Sequence, residues 1–167
     1  MWTKIMEKFS KFPAQEKVIR LLFGRGFQIN SEGRVVSGTI EIPHTQIAKE
    51  IGVDRRAVDA TVKAILGDET LKKVFQNITS IAFLEHVAPL LGLGVVIIIP
   101  KNAQKTGILG EVATTIAKHN ISIRQAVTDD PYFTESPKLT IITDARVPGE
   151  VVDALMKLPS VKSVMVY

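Results

Sequence analysis

The 167-residue chain contains no cysteine. That absence excludes a disulfide framework, thiolate-bound zinc, iron–sulfur clusters and thiol catalysis. Histidine is scarce too: His44, His86 and His119 stand far apart, with no two at a metal-ligand spacing. No apolar run is long. Val87 to Ile99 is interrupted by Pro89, Gly92 and Gly94, which leaves nothing able to cross a bilayer. The opening Met1-Trp2-Thr3-Lys4-Ile5-Met6-Glu7-Lys8 puts charges where a signal peptide needs an apolar core. A soluble, cytoplasmic protein is expected.

Catalytic signatures are missing as well. Gly92-Leu93-Gly94 leads into an apolar run rather than a helix and lacks the third glycine of a dinucleotide fingerprint. There is no phosphate-binding Walker loop. Glu85-His86 has no nucleophile motif to serve and reads as part of a connector. Asp129-Asp130, followed by Pro131 and Pro137, reads as a solvated loop rather than a cation site. The chain is expected not to be an enzyme, and no metal or cofactor is expected.

What is present describes a globular protein, with 46% hydrophobic and 23% charged residues. The net charge is +4, and it is concentrated. Residues 1–66 hold 11 basic and 7 acidic side chains, against 8 and 7 in residues 94–167. A basic excess at the front of the chain suits a polyanionic partner.

Trp2, Ile5, Phe9 and Phe12 recur at helical steps, so the first dozen residues predict an amphipathic helix. Pro13 opens a second helix carrying Val18, Ile19, Leu21 and Leu22 inward and ending at Gly24 to Gly26. Short β-rich pieces follow, Phe27–Asn30, Arg34–Ser37 and Thr39–Ile42, with a turn at Asn30-Ser31-Glu32-Gly33. Ile47, Ala48 and Ile51 mark a helix that stops at Gly52. Asp54 is then a good N-cap for a helix from Arg55 to Leu66 that faces Val58, Val62 and Ile65 inward. A helix, a glycine turn and a second capped helix make a helix-turn-helix pattern. Ala48 is small enough for close helix approach, and Gly52 can take the positive φ of the turn.

The string Ile47-Ala48-Lys49-Glu50-Ile51-Gly52-Val53-Asp54-Arg55-Arg56-Ala57-Val58 resembles the helix-turn-helix of prokaryotic transcription regulators. A reading helix enters the major groove of DNA by its N-terminal end. Arg55, Arg56 and Lys63 are therefore the candidate contacts to double-stranded DNA. The same pattern also serves as a protein-docking hairpin with a solvated charged face. Residues 67–93 read as a packed helical linker, with Asp68 capping a short helix that turns Leu71, Val74 and Phe75 inward.

From Gly94 the periods alternate. Val95–Ile99, Ile121–Thr128, Leu139–Thr143 and Val161–Val166 read as strands. Two helical stripes lie among them, Ile108, Leu109, Val112, Ala113, Ile116, Ala117 and then Val151, Val152, Leu155, Met156, Leu158. The order βαββαβ is ferredoxin-like, so an α/β (α+β) fold is expected, with domains 1–66, 67–93 and 94–167. Without thiols a metal carrier is excluded, and without aromatics on the two central strands an RNA-recognition motif is too. The ferredoxin-like order, with Lys105-Thr106-Gly107-Ile108-Leu109 and Asn120-Ile121-Ser122-Ile123, resembles an ACT domain. With the helix-turn-helix, the whole chain resembles the archaeal-type regulators of amino-acid metabolism that join the two modules. Many ligand-binding members carry an acidic or amide residue near a Pro-Gly pair where this chain has Lys105-Thr106-Gly107.

The resemblance implies a homodimer or higher homo-oligomer that senses a free amino acid between copies. One wall would be Asn102, Gln104, Thr106, Gly107, Ile108 and Leu109, and the other Ser122 and Arg124 of a neighbouring copy. Independently of any family, a loop entering a helix at Gly107 offers backbone N–H groups to a carboxylate. The implied function is amino-acid-responsive transcription regulation. The alternative is a regulatory subunit of a biosynthetic enzyme that uses the helix-turn-helix as a protein interface.

Overall fold

The computed structural model describes residues 7–167, so the expected helical positions Trp2 and Ile5 lie outside the described residues. The fold is α+β and divides into two compact units, Met1–Ala82 and Phe83–Tyr167.

In the first unit, helix α1 (Pro13–Arg25) begins on its proline and closes on Gly26. Strands β1 (Gln28–Ile29), β2 (Val35–Ser37) and β3 (Ile40–Ile42) form a small antiparallel sheet in that order. The turn between β1 and β2 is held by Asn30, whose side-chain oxygen accepts from the backbone N–H of Glu32 and Arg34. Helices α2 (His44–Ile51), α3 (Arg55–Leu66) and α4 (Glu69–Asn77) follow. One core gathers Val18, Ile19 and Leu22 of α1, Ile29 and Val35 of the sheet, and Ile47 and Ala48 of α2 with Val58, Val62 and Ile65 of α3. Phe9 is buried there as expected, while Phe12 faces solvent.

The stretch expected as a linker is not one element. Its helix α4, capped by Asp68 through the N–H groups of Thr70 and Leu71, buries Leu71 and Phe75 in this same core. The chain beyond α4 docks on the end of α1. The Ser80 hydroxyl donates to the Arg25 carbonyl at 2.7 Å, and a Cβ on Gly26 would lie 2.7 Å from the Thr79–Ser80 backbone. Gly26 also has φ +62°, so two separate requirements select glycine there. The domain boundary therefore falls after residue 82 rather than at 66.

The second unit holds β4 (Gly94–Pro100), α5 (Ile108–Ala117), β5 (Ile123–Thr128), β6 (Leu139–Thr143), α6 (Gly149–Met156) and β7 (Val161–Val166). The sheet order is β5-β6-β4-β7, and every neighbouring pair is antiparallel, the ferredoxin-like layout. Val96 and Ile98 of β4 and Ile141 of β6 pack with Val112 and Ile116 of α5 and Val151 and Leu155 of α6. Val95, Ile97 and Ile142 point the other way, and Ala88 with Leu84 and Leu93 covers them. Residues 83–93, including a 3-10 turn at Ala88–Leu91, thus form a strap over the sheet face opposite the helices. Leu109 and Met156, expected inside their stripes, are respectively 44% and 47% exposed. In each helix the neighbouring stripe residue takes the core-facing place, Ile108 beside Leu109 and Leu155 beside Met156.

Phe75→Ala tests whether α4 is core or connector. Removing a fully buried ring should lower the unfolding free energy of the N-terminal unit by about 3–5 kcal/mol, measured by denaturant melts; a connector residue would cost far less.

Candidate functional site

Two places carry candidate function, one in each unit. In the first, α2 ends on Gly52 in the left-handed region, φ +64°. The chain turns through Val53 and restarts at Asp54, whose carboxylate accepts from the Arg56 N–H at 2.8 Å. This places Arg55 and Arg56 on the open end of α3, with their side chains 64% and 90% exposed. Lys63 is also exposed, and it makes no ion pair among the described residues. All three expected DNA contacts are thus solvent-facing on one helix.

Their charges are partly engaged. Arg56 Nε lies 3.0 Å from Asp54, and Arg55 Nε lies 3.5 Å from Asp59. Asp59 also meets His44 Nδ1 at 2.7 Å, tying the start of α2 to α3. The Arg56 guanidinium and backbone N–H, both bonded to Asp54, hold its carboxyl below the usual aspartate range. On the small sheet Arg34 is bracketed by Glu41 at 2.7 Å and Glu32 at 3.1 Å. Exposed pairs of this kind contribute little to stability and are screened by salt.

In the second unit the β4–α5 loop supplies one side of a cleft of about 540 Å³. Gly107 caps α5 at φ +90°, with no side chain bonded over the helix start. The first backbone N–H groups of α5 therefore lack helical partners. Gly107, Ile108 and Leu109, singled out from sequence, line this cleft together with Lys105. Asn102, Gln104 and Thr106 lie in the same loop and do not line it. Asn102 shapes the loop instead, accepting the Gln104 N–H at 2.9 Å.

Within one chain the facing wall comes from the end of β5 and the β5–β6 loop, including Asp129, Asp130, Tyr132 and Lys138. Asp129 closes that loop by a backbone pair with Lys138, and its carboxylate accepts the Lys138 N–H. Ser122 and Arg124 sit at the opposite end of β5. The Ser122 backbone pairs with Asp144. Arg124 is the extra residue of a bulge, since Ile123 faces Thr143 while Gln125 faces Ile142. The two expected walls are therefore not brought together in a single chain. Antiparallel pairing of β5, an edge strand, with its copy would carry Ser122 and Arg124 toward the other chain's Thr128 end.

Sequence reasoning missed a buried polar group behind this cleft. Glu85 accepts from Lys138 Nζ at 3.1 and 3.2 Å and from the Tyr167 hydroxyl at 3.0 Å. Burial pushes the Glu85 carboxyl up. The hydrogen bonds from Lys138 and Tyr167, with the Lys138 charge, outweigh burial and leave it below the usual range. Burial and the Glu85 hydrogen bond and charge push the Tyr167 phenol up. An acidic residue in an otherwise apolar stretch was the one available signal. The Glu85 carboxylate, beside His86 in sequence, is bonded to Lys138 and Tyr167.

No protein-family model matches the sequence, and no curated protein matches it. Among solved structures, the chain is similar to the C-terminal domain of the MgtC protein from Mycobacterium tuberculosis, at 20% identity, covering 45% of this chain and 83% of that one with a TM-score of 0.34. It is also similar to a homoserine dehydrogenase from Thiobacillus denitrificans, at 14% identity, covering 68% of this chain and 28% of that one with a TM-score of 0.35. An AsnC-family transcriptional regulatory protein from Pyrococcus furiosus is similar at 8% identity, over 92% of this chain and 85% of that one, with a TM-score of 0.28.

Asp54→Ala should lower the melting temperature by a few degrees at neutral pH, and Asp54→Asn, which still caps but loses the charge that bonds Arg56, should lower it by less. A carboxyl whose folded pKa is depressed stabilises above its unfolded value and loses that contribution as pH falls through the folded one. The gap between wild type and Asp54→Ala should therefore close in acid, as thermal melts across pH will read.

Proposed function

We propose that this chain is an amino-acid-responsive transcription regulator. Its N-terminal unit binds double-stranded DNA through α3, and its C-terminal unit is an ACT-type module that dimerises and senses a free amino acid. The observation that carries the reading is the α2–Gly52–α3 geometry, a left-handed glycine turn and an aspartate cap that present Arg55 and Arg56 outward on the helix end. Arginine there can bond guanine bidentately or hold a phosphate, and Lys63 adds a third cation along the same helix.

The sensing half rests on the cleft at Gly107. An amino-acid carboxylate fits against the free N–H groups at the start of α5, and its apolar part has Leu109 and Ile108 beside it. A second copy would bring Arg124 to pair with carboxylate and Ser122 to accept from the ammonium group. Two reading helices in a dimer must match half-sites about 34 Å apart or a multiple of that. A ligand wedged between copies shifts their separation, and a coupling of about 1–3 kcal/mol is enough to change operator occupancy. An edge strand left uncovered at β5 is a further reason for self-association.

The DNA half is tested on a duplex that the wild-type chain selects from a random pool. Arg55→Ala/Arg56→Ala should weaken binding about 100-fold or more and flatten its salt dependence by about 0.9 per lost phosphate contact, while amino-acid binding persists. Unchanged anisotropy titrations would reject α3 as the reading helix.

The sensing half is tested by a thermal-shift screen of the twenty common L-amino acids at millimolar concentration, since a ligand bound only to the native state raises its melting point. A shift that vanishes in Ser122→Ala or Arg124→Ala places the ligand between copies; a flat screen leaves the module a dimerisation unit only.

A further inference from the structure

Glu85 is the one buried charged side chain among the described residues, 5% exposed. It lies in the strap, residues 83–93, which is seated on the sheet by Leu84, Ala88 and Leu93 against Val95, Ile97 and Ile142. Polar ties supplement that seat. The Leu84 N–H donates to Gln125 Oε1 at 2.9 Å, and the Glu85 carboxylate takes Lys138 Nζ and the Tyr167 hydroxyl. A buried carboxylate needs its cation, because removing one partner leaves a charge that the interior cannot solvate.

Lys138 does two things. It immediately precedes β6 and is a wall residue of the cleft at Gly107, and its ammonium also holds the strap. The strap in turn starts at the first residue after the N-terminal unit.

The geometry points to a latch: Lys138 is shared between Glu85 and the cleft, so a ligand carboxylate arriving there draws its ammonium off Glu85 and loosens the strap. The inference rests on the amino-acid-sensing reading above and adds how occupancy of that site leaves it. Linkage makes the effect reciprocal. Whatever weakens the hold of Glu85 on Lys138 must strengthen ligand binding, although Glu85 is no part of the cleft wall. A Glu85 that only packs the strap would have no such influence.

The experiment compares the full wild-type chain with Glu85→Gln, which keeps the shape and an acceptor for Tyr167 but removes the charge, and with Lys138→Met. Each of the twenty common L-amino acids is titrated calorimetrically, and amide exchange is followed over residues 84–93. In the wild type a bound amino acid should speed exchange across the strap. Glu85→Gln should bind the same amino acid about fivefold tighter or more, with strap exchange already fast and no longer responsive. Lys138→Met should exchange fast and bind more weakly.

Should Glu85→Gln not fold, Tyr167→Phe removes the other donor to the same carboxylate, so Glu85 should hold the Lys138 ammonium more tightly and amino-acid binding should weaken. Equal affinities in wild type and the Glu85 or Tyr167 variant, or strap exchange indifferent to a bound amino acid, would overturn the latch and leave the sensing reading intact. No amino acid binding to the wild type would overturn that reading and the latch with it.

Discussion

Strand β4 is apolar on both faces, and the C-terminal unit is organised around that constraint. Val96 and Ile98 are satisfied by the two helices in the ordinary way of a ferredoxin-like sheet. Val95 and Ile97 would be left against water on the other side. Burying a Val or Ile side chain is worth about 1.5–3 kcal/mol, so an uncovered pair on a central strand would be a large loss for a unit of this size. The chain resolves it by laying residues 83–93 across the open face. That solution brings an acidic residue into the interior, and the interior in turn requires Lys138 and Tyr167 beside it. The polar arrangement behind the cleft is thus a result of how an apolar strand is covered.

The legible parts of this molecule are those whose physics is local. Gly52 and Asp54 announce a turn and a cap within three residues of each other, and the structure has the turn and the cap there. The alternation from Val95 to Val166 likewise gave the order of six elements, since each strand and helix reports its own period. Gly107 was readable as the N-cap of α5 because a strand-to-helix turn with positive φ selects glycine.

What was not legible depends on distance along the chain. Lys138 and Tyr167 reach Glu85 across 53 and 82 residues, and no local pattern encodes such a meeting. Phe75 reads as the inward face of some short helix, but which core it enters is decided by α1 and α3. The far wall of the cleft was discounted for a similar reason. Asp129-Asp130 next to prolines has the composition of a solvated loop, and only the folding of that loop over the start of α5 makes it part of a cavity. Leu109 shows the converse: a helical stripe read from the sequence groups it with Ile108, yet Ile108 packs against the core while Leu109 is left exposed.

The bulge at Arg124 has an outcome for the rest of β5. In a regular strand Gln125 would fall on the face of its second neighbour, Ile123, toward the helices. The extra residue reverses that parity, which is why Gln125 reaches Leu84 on the strap side while Ile123 stays with the helices. Side-chain identity at 124 is therefore a matter of surface chemistry, but the position itself keeps count for everything after it. Losing one residue there would invert the faces of Ala126 and Val127 together, so along this edge the chain can absorb replacement far more easily than deletion.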